Sequence, residues 1–517
     1  LRLRNCPPRP PGRLPRLAGG LLLALSLLSA GPAPAQPRAA ALPTLGDGGE
    51  MTLGAERKLG ERIARELYRD PDYLDDAVLA EYVQGLWQPL LAAARQRGEL
   101  TSELEERFAW EILLGRDRTI NAFALPGGYL GVHLGLIGAV TRRDELAAVL
   151  AHELSHVTQR HISRLIAQQD RQAPWLLGAM ILGALAASKN PQAAQAVVVG
   201  GQAVAAQSQL NFSRDMEREA DRIGFGVLTQ AGFAAEGFVG MFEKLQQASR
   251  LNDNGAFPYL RSHPLTTERI ADMQARQPLG APRAAPPPDL EQAMVAARAR
   301  VLARPGVDVL RGWVAEAETP GFAGLAVPRR AAVLYAAALA SLQLNDLPRA
   351  AAFAARLVPL AAAQPQGARQ ARLLGAEVAL QAGDLGRAAQ LLGASGDASP
   401  ARPELFLWAQ LRTRGGQAAE AAARLQPWVL SHPRDASAWQ LLAAAHAAQG
   451  QGLRAIRAEG EARLAQLDYA AAVDRFRAAQ ALYRQGPGQP GDHIEASIVD
   501  TRLRLAESAL REQALER

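Results

Sequence analysis

The sequence of 517 residues holds a single cysteine, Cys6. It lies upstream of an apolar run at 17–30, inside a segment that reads as a leader. Beyond that leader there is no disulfide, no thiolate metal site and no cysteine nucleophile. Stability must come from packed elements or a bound ion. Aromatic residues make up only 5% of the chain, and β-branched runs are short. An Ala/Leu-rich chain of this kind favours a mainly helical protein. Nor is there a lasting excess of basic charge. Arg2, Arg4, Arg9, Arg13 and Arg16 are five of the 57 basic residues, and no acidic residue accompanies them in the first 35. Without them 52 basic residues face 51 acidic ones, a net of +1, so no basic stripe argues for nucleic acid.

The leader has three parts. Five arginines come first, LAGGLLLALSLLSA (17–30) supplies an apolar core, and Ala33-Pro34-Ala35 ends in small residues. This pattern predicts a secretory signal peptide over 1–35, cleaved to leave Gln36 first. The apolar run falls short of the roughly 17–25 residues of a spanning helix, which argues against an uncleaved anchor. Cys6 precedes the apolar core, so it cannot be a lipidated first residue.

Composition divides the rest. QPLGAPRAAPPPD (277–289) carries five prolines and no apolar period, which predicts a linker over 277–288. The expected domains are therefore 36–276 and 289–517. In the first, 49–69 and 75–97 have helical spacing. Residues 110–137 look β-like: Ile112, Leu113 and Leu114, then TINAFAL (119–125), then YLGVHLGLI (129–137) after a Pro126-Gly127-Gly128 turn. Thr141 offers an N-cap for a helix running on through Leu154. The second domain repeats with a 34-residue period. Leu405, Ala409, Ala421 and Leu425 fall at positions 4, 8, 20 and 24 of one helix–turn–helix unit. Trp439, Leu442, Ala443, His446, Ala455 and Ala462 fall at positions 4, 7, 8, 11, 20 and 27 of the next. Similar turns recur as NDLPRAA (345–351), GDLGRAA (383–389) and GGQAAEAA (415–422). The pattern resembles tetratricopeptide repeats, which stack into an α-solenoid.

The chemistry concentrates in AHELSHVTQRH (151–161). On a helix, His152 and His156 project from one face a turn apart and can reach one ion. Glu153 points about 100° round the axis from His152, beside the ion rather than on it. Two fixed ligands, an open position and an adjacent carboxylate suit metal-assisted hydrolysis. A third ligand is required, and SRDMEREADRIG (213–224) offers Glu217 and Asp221, four apart on one face. Glu219 is expected to face elsewhere as a solvated charge.

HELSH followed some sixty residues later by SRxxExEADxxG resembles the peptidase family that includes the HtpX-like and CAAX prenyl proteases. The resemblance implies a zincin-like fold, helices plus a small β-sheet, with one Zn2+ per chain. It makes Glu217 the third zinc ligand and Asp221 a proton donor. Chemistry alone also allows Asp221 to orient a ligand imidazole. FALPGGYLGV (123–132) and SHPLTTERI (262–270) resemble the exported, repeat-bearing members of the family. That likeness implies a periplasmic protease with a chaperone-like role, acting on unfolded or misassembled outer-membrane proteins and recruited to the barrel-assembly machinery. It also implies that His263 fills the fourth zinc position and restrains activity. The alternative for His263 is a loop histidine without metal contact. His133 and His161 have no counterpart and are expected to be structural or exposed. His446 is expected to pack inside a repeat.

TINAFAL is the candidate edge strand for substrate, with Asn121, Phe123 and Leu125 as contact residues, because an unfolded chain can add to a free edge by backbone pairing. WLLGAMILGALAAS (175–188) and AAQAVVVGGQAVAA (193–206) have 14 residues each, too short to span a bilayer. They suit a close helical hairpin over 175–206 that lies near the active site or touches the membrane surface. The rival to the protease is a non-proteolytic assembly chaperone with a structural or latent metal site. An intact Glu153 argues against it, since a structural site needs no general base.

Overall fold

The computed structural model describes residues 51–168, 213–251, 258–277, 289–393, 401–486 and 491–515. The expected leader (1–35), the hairpin (175–206) and nearly all of the linker (278–288) lie outside the described residues.

The N-terminal part is helices around a small sheet. Helix α1 (Leu53–Arg69) is capped by Thr52 and buries Leu59 and Ile63. Strand β1 (Tyr73–Leu74) and helix α2 (Ala77–Gln96) follow, the latter capped by Asp76, whose carboxylate accepts the Leu79 N–H. After α3 (Ser102–Arg107) come β2 (Glu111–Gly115), β3 (Ala122–Leu125) and β4 (Tyr129–His133). The sheet order is β1-β2-β4-β3; β2 runs parallel to β4, and β3 runs antiparallel to it. That leaves β3 at an edge. The turn between β3 and β4 needs glycine: Gly127 has φ 71°, and a Cβ there would stand 2.7 Å from the Arg57 Cα.

Three local expectations need adjusting. The strand within TINAFAL is only Ala122–Leu125, and Asn121 lies just before it, its carbonyl accepting the His133 N–H. Residues 134–137, read as the end of a strand, instead begin α4 (Leu134–Ala139). The next helix, α5 (Arg143–Thr158), is capped at Arg142 rather than Thr141; the Glu145 carboxylate accepts both of those N–H groups.

Helix α5 is buried along almost its whole length, from Glu145 to Thr158. It packs between the sheet, α2, α7 (Arg214–Gln230) and α8 (Glu236–Leu251). Between α5 and α7 the chain forms α6 (His161–Gln168). After α8 come α9 (Pro258–Ser262) and α10 (Thr267–Ala275). Gly224 lets α7 lie close on α5: a Cβ there would meet the Ala151 carbonyl and the His152 nitrogen at 3.1 Å.

The C-terminal part is an all-helical solenoid. α11 (Leu290–Leu302), α12 (Val307–Glu316), α13 (Val327–Gln343) and α14 (Leu347–Ala361) begin it. α15 (Pro365–Gln381), α16 (Leu385–Leu392), α17 (Arg402–Arg414) and α18 (Ala418–Ser431) continue it. α19 (Ala436–Ala448), α20 (Gly452–Ala465), α21 (Tyr469–Arg484) and α22 (Asp492–Leu515) complete it. All ten residues placed in the repeat register are buried, His446 among them.

The two parts share a boundary of apolar packing and arginines. Val295, Ala299 and Ala303, in and just after α11, belong to the same core as Leu134, Ile137 and α5. Arg298 pairs Asp76 with Glu377, Arg369 pairs Glu81 with Glu404, and Arg402 pairs Asp75 with Asp435. Each guanidinium thus joins one carboxylate of the sheet-bearing part to one of the solenoid. Arg434 adds a fourth contact, to Glu111. Among the described residues, no helix is long and apolar enough to cross a membrane.

Candidate metal centre

Four buried side chains converge above α5. His152 and His156 rise from α5, Glu217 from the first turn of α7, and His263 from the residue after α9. All four are about 1% exposed. His152 Nε2 lies 3.0 Å from His156 Nε2 and 3.3 Å from His263 Nδ1. Glu217 lies 2.9 Å from His263 Nδ1 and 3.5 Å from Nε2 of both His152 and His156. Zinc–nitrogen bonds of roughly 2.0–2.1 Å in a tetrahedron give ligand separations of about 3.3–3.4 Å. Five of the six separations, with Glu217 measured from either oxygen, are 2.9–3.5 Å and bracket that figure, and the four ligand atoms all lie within 4.8 Å of one another. Three imidazole nitrogens and a carboxylate facing one point are a donor set for a divalent ion of zinc's class. The residues fit the metal that the sequence motif implies.

Glu153 is fully buried but stands outside this set. One oxygen accepts the Ala124 N–H of β3 at 2.9 Å, and the other lies 3.5 Å from His263 Nε2. His263 therefore turns Nδ1 to the ligand cluster and Nε2 to Glu153. Tyr259 stacks on the His263 ring, with centroids 4.6 Å apart.

A second ring of polar groups holds the ligands. Asp221 Oδ1 is 2.9 Å from His152 Nδ1. Arg269 donates to both Asp221 oxygens at 2.6 and 2.8 Å and approaches Glu217 at 2.7 Å. Burial works against the Asp221 anion, yet Arg269 and His152 hold its carboxyl below the usual range. Burial opposes the His152 cation too, but the Asp221 and Glu217 carboxylates pull its pKa up to about 10. Burial and the neighbouring His152 push His156 well below its ordinary value.

Sequence reasoning missed two members of this ring. His161 is buried, its Nδ1 2.8 Å from His156 Nδ1 and its Nε2 3.1 Å from Glu219. Glu219, expected to be a solvated charge, instead joins His161 and Arg164, the latter at 2.9 Å. The signal available was a third histidine five residues after His156, but helical periodicity hid it. Burial lowers the His161 pKa to about 4 in spite of Glu219.

The candidate edge-strand residues divide. Leu125 is buried with Leu59, Ile63 and Tyr129, whereas Phe123 is half-buried and covers Gly131. Asn121 is buried beside the strand. His133 is buried and bonded to Thr119 at 2.9 Å, and His446 is bonded to Gln451 at 2.7 Å. Both are structural, as expected.

A family model described as Peptidase family M48 matches residues 92–277, which span β2, β3, β4, α5 and the Glu217 helix. The chain is 31% identical over 466 residues to the beta-barrel assembly-enhancing protease of Escherichia coli K12, covering 88% of this chain and 90% of that one. It is 34% identical over 336 residues to the putative beta-barrel assembly-enhancing protease of Vibrio cholerae, covering 63% of this chain and 65% of that one. The mitochondrial metalloendopeptidase OMA1 of Saccharomyces cerevisiae is 26% identical over 196 residues, covering 37% of this chain and 54% of its own. An HExxH helix, a converging glutamate and these likenesses agree: the chain is a metalloprotease belonging to peptidase family M48.

Proposed function

We propose that the protein is a periplasmic zinc endopeptidase acting on unfolded or misassembled outer-membrane proteins, with its solenoid recruiting substrate or the barrel-assembly machinery. The single observation that carries the catalytic reading is geometric. Four buried donors lie within 4.8 Å of one another, and Glu153 is held beside them rather than among them. The Escherichia coli and Vibrio cholerae relatives, named as beta-barrel assembly-enhancing proteases, support the substrate class.

In this reading His152, His156 and Glu217 hold the ion, and His263 is its fourth, displaceable ligand. Zinc in such a site polarises the scissile carbonyl and acidifies water. Glu153 takes the proton of the attacking water and returns it to the leaving amine. Asp221 is engaged by Arg269 on both oxygens, which supports an orienting role toward His152 over proton donation. Substrate adds along β3 in extended form, near Asn121, Phe123 and Leu125, and the Ala124 N–H now bonded to Glu153 becomes available as Glu153 turns to its work. The working division is a signal peptide at 1–35, a peptidase over 36–276, a linker over 277–288 and a repeat domain over 289–517.

Metal analysis and casein cleavage of the purified protein, set beside Glu153→Gln, test this. Zinc at one per chain, with cleavage that disappears in the variant, is expected. Zinc with cleavage of neither casein nor a denatured outer-membrane protein would favour the non-proteolytic chaperone.

A further inference from the structure

The contact between His156 and His161 is not one that a regular helix makes. On an unbroken helix, residue 161 would lie about 500° round the axis from residue 156, roughly 140° away, and would face elsewhere. The helix is broken instead. Arg160 takes the left-handed conformation, φ 53°, which is costly for a side chain of that size. The strained residue is held in place: its guanidinium bonds the buried Glu56 at 3.0 Å and Ser163 at 3.1 Å. The break turns His161 back until its Nδ1 stands 2.8 Å from Nδ1 of His156.

The proton positions in this chain are then fixed by valence. His156 faces the ligand cluster with Nε2, so a lone pair must sit there and its proton on Nδ1. Only an acceptor can meet that proton, so His161 presents an unprotonated Nδ1 and carries its own proton on Nε2. That proton points at Glu219, 3.1 Å away, a carboxylate further held by Arg164. His152 is braced by a different device, the single carboxylate of Asp221 at 2.9 Å.

We infer that His161, backed by Glu219, is the positioning residue of the metal centre: it accepts the Nδ1 proton of His156 and so fixes that ligand's tautomer, ring orientation and basicity. This rests on the reading of His156 as a metal ligand. Ligand-orienting groups of this kind typically change metal affinity 10–100-fold when removed. The burial of His161 gives a merely structural explanation too, as ring packing beneath α5, and the two differ in what a substitution does.

His161→Phe keeps a ring and loses the acceptor. His161→Asn places an amide oxygen near the former Nδ1 and keeps the acceptor. Zinc dissociation constants, from competition with a chelator, and the visible spectrum of the cobalt-substituted protein report on the ligand field independently of turnover. The Phe variant is expected to bind zinc about 10–100-fold more weakly, with a changed cobalt spectrum, and the Asn variant to recover most of both. Glu219 is partly exposed, so its substitution leaves the fold intact; Glu219→Ala is expected to weaken zinc by a smaller factor and Glu219→Gln, still an acceptor, to retain it. Wild-type zinc affinity in the Phe variant would overturn the assignment. So would equal losses in Phe and Asn, which would mean packing alone. Absence of zinc binding by the unsubstituted protein would overturn the metal centre itself, and this assignment with it.

Discussion

Glu153 has the narrowest task in the protein and the fewest ways to be replaced. Its carboxylate bridges the β3 backbone and His263 without joining the donor set. Glu153→Gln keeps the shape and removes the base, so proteolysis is expected to fall by about 10²–10⁴ with zinc retained, as peptide turnover and metal analysis would show. Near wild-type cleavage would take Glu153 out of the mechanism. His263 carries the opposite expectation. Its Nδ1 completes the donor set while its Nε2 faces the base, so one side chain screens both halves of the chemistry. His263→Ala is expected to raise basal proteolysis, with self-cleavage, while zinc stays on the remaining three ligands. A loss of activity would instead mark His263 as a participant in turnover. HELSH made the two histidines and the adjacent carboxylate legible from residues alone, whereas the choice of Glu217 over Asp221 came from the family resemblance. His161 and Glu219 were not legible, because helical periodicity places them on the wrong faces. Only the left-handed turn at Arg160 brings His161 back, and no residue type there announces it.

At the scale of elements, the site depends on how closely α7 lies against α5. Glu217 and Asp221 reach the histidines because Gly224 presents no side chain to the Ala151 carbonyl. Gly224→Val would force the helices apart, and such overpacking costs about 1–3 kcal/mol. A lower denaturation midpoint together with reduced zinc content is the expected result. Unchanged zinc would mean that the two helices can separate without moving Glu217. Helix existence was readable because it rests on apolar period, and the same period picked out positions that are buried in the solenoid. The end of the third β-like stretch was not readable, because apolar residues continue on both sides of it. In YLGVHLGLI a single buried histidine, His133, ends β4, and α4 begins at Leu134 in residues as apolar as the strand before it.

Across the whole molecule, arginines decide how the solenoid sits on the peptidase part. Arg298 is buried between Asp76 and Glu377, and burial alone would raise the Asp76 carboxyl, but Arg298 holds it below its usual value. Asp435 is likewise held down by Arg402 against the effect of burial. A carboxylate with a depressed folded-state pKa contributes stability that is complete above its unfolded value of about 3.9 and is lost as pH falls through the folded one. The contact should therefore be insensitive to pH from neutrality down to about pH 5 and weaken below about pH 4. Asp76→Asn retains an oxygen to cap α2 but loses the ion pair. It is expected to be less stable at pH 7 and to lose part of the acid dependence in a denaturation series. An acid profile identical to that of the unsubstituted protein would rule out Asp76 as its source.

Three of the residues that fill the core beside α5, namely Val295, Ala299 and Ala303, belong to the far side of the proline-rich stretch. A fragment stopped at residue 276 would leave that surface bare, and one stopped after residue 303 would not, a difference that solubility and melting of the two would reveal. The same arrangement sets an order on biosynthesis. A chain emerges N-terminus first, at about 5–20 residues per second, so every metal ligand is made while the core beneath it still lacks its last layer. Full rigidity of the peptidase part arrives only with the first solenoid helix. The peptidase part thus keeps an open core until the first helix of the solenoid has been synthesised.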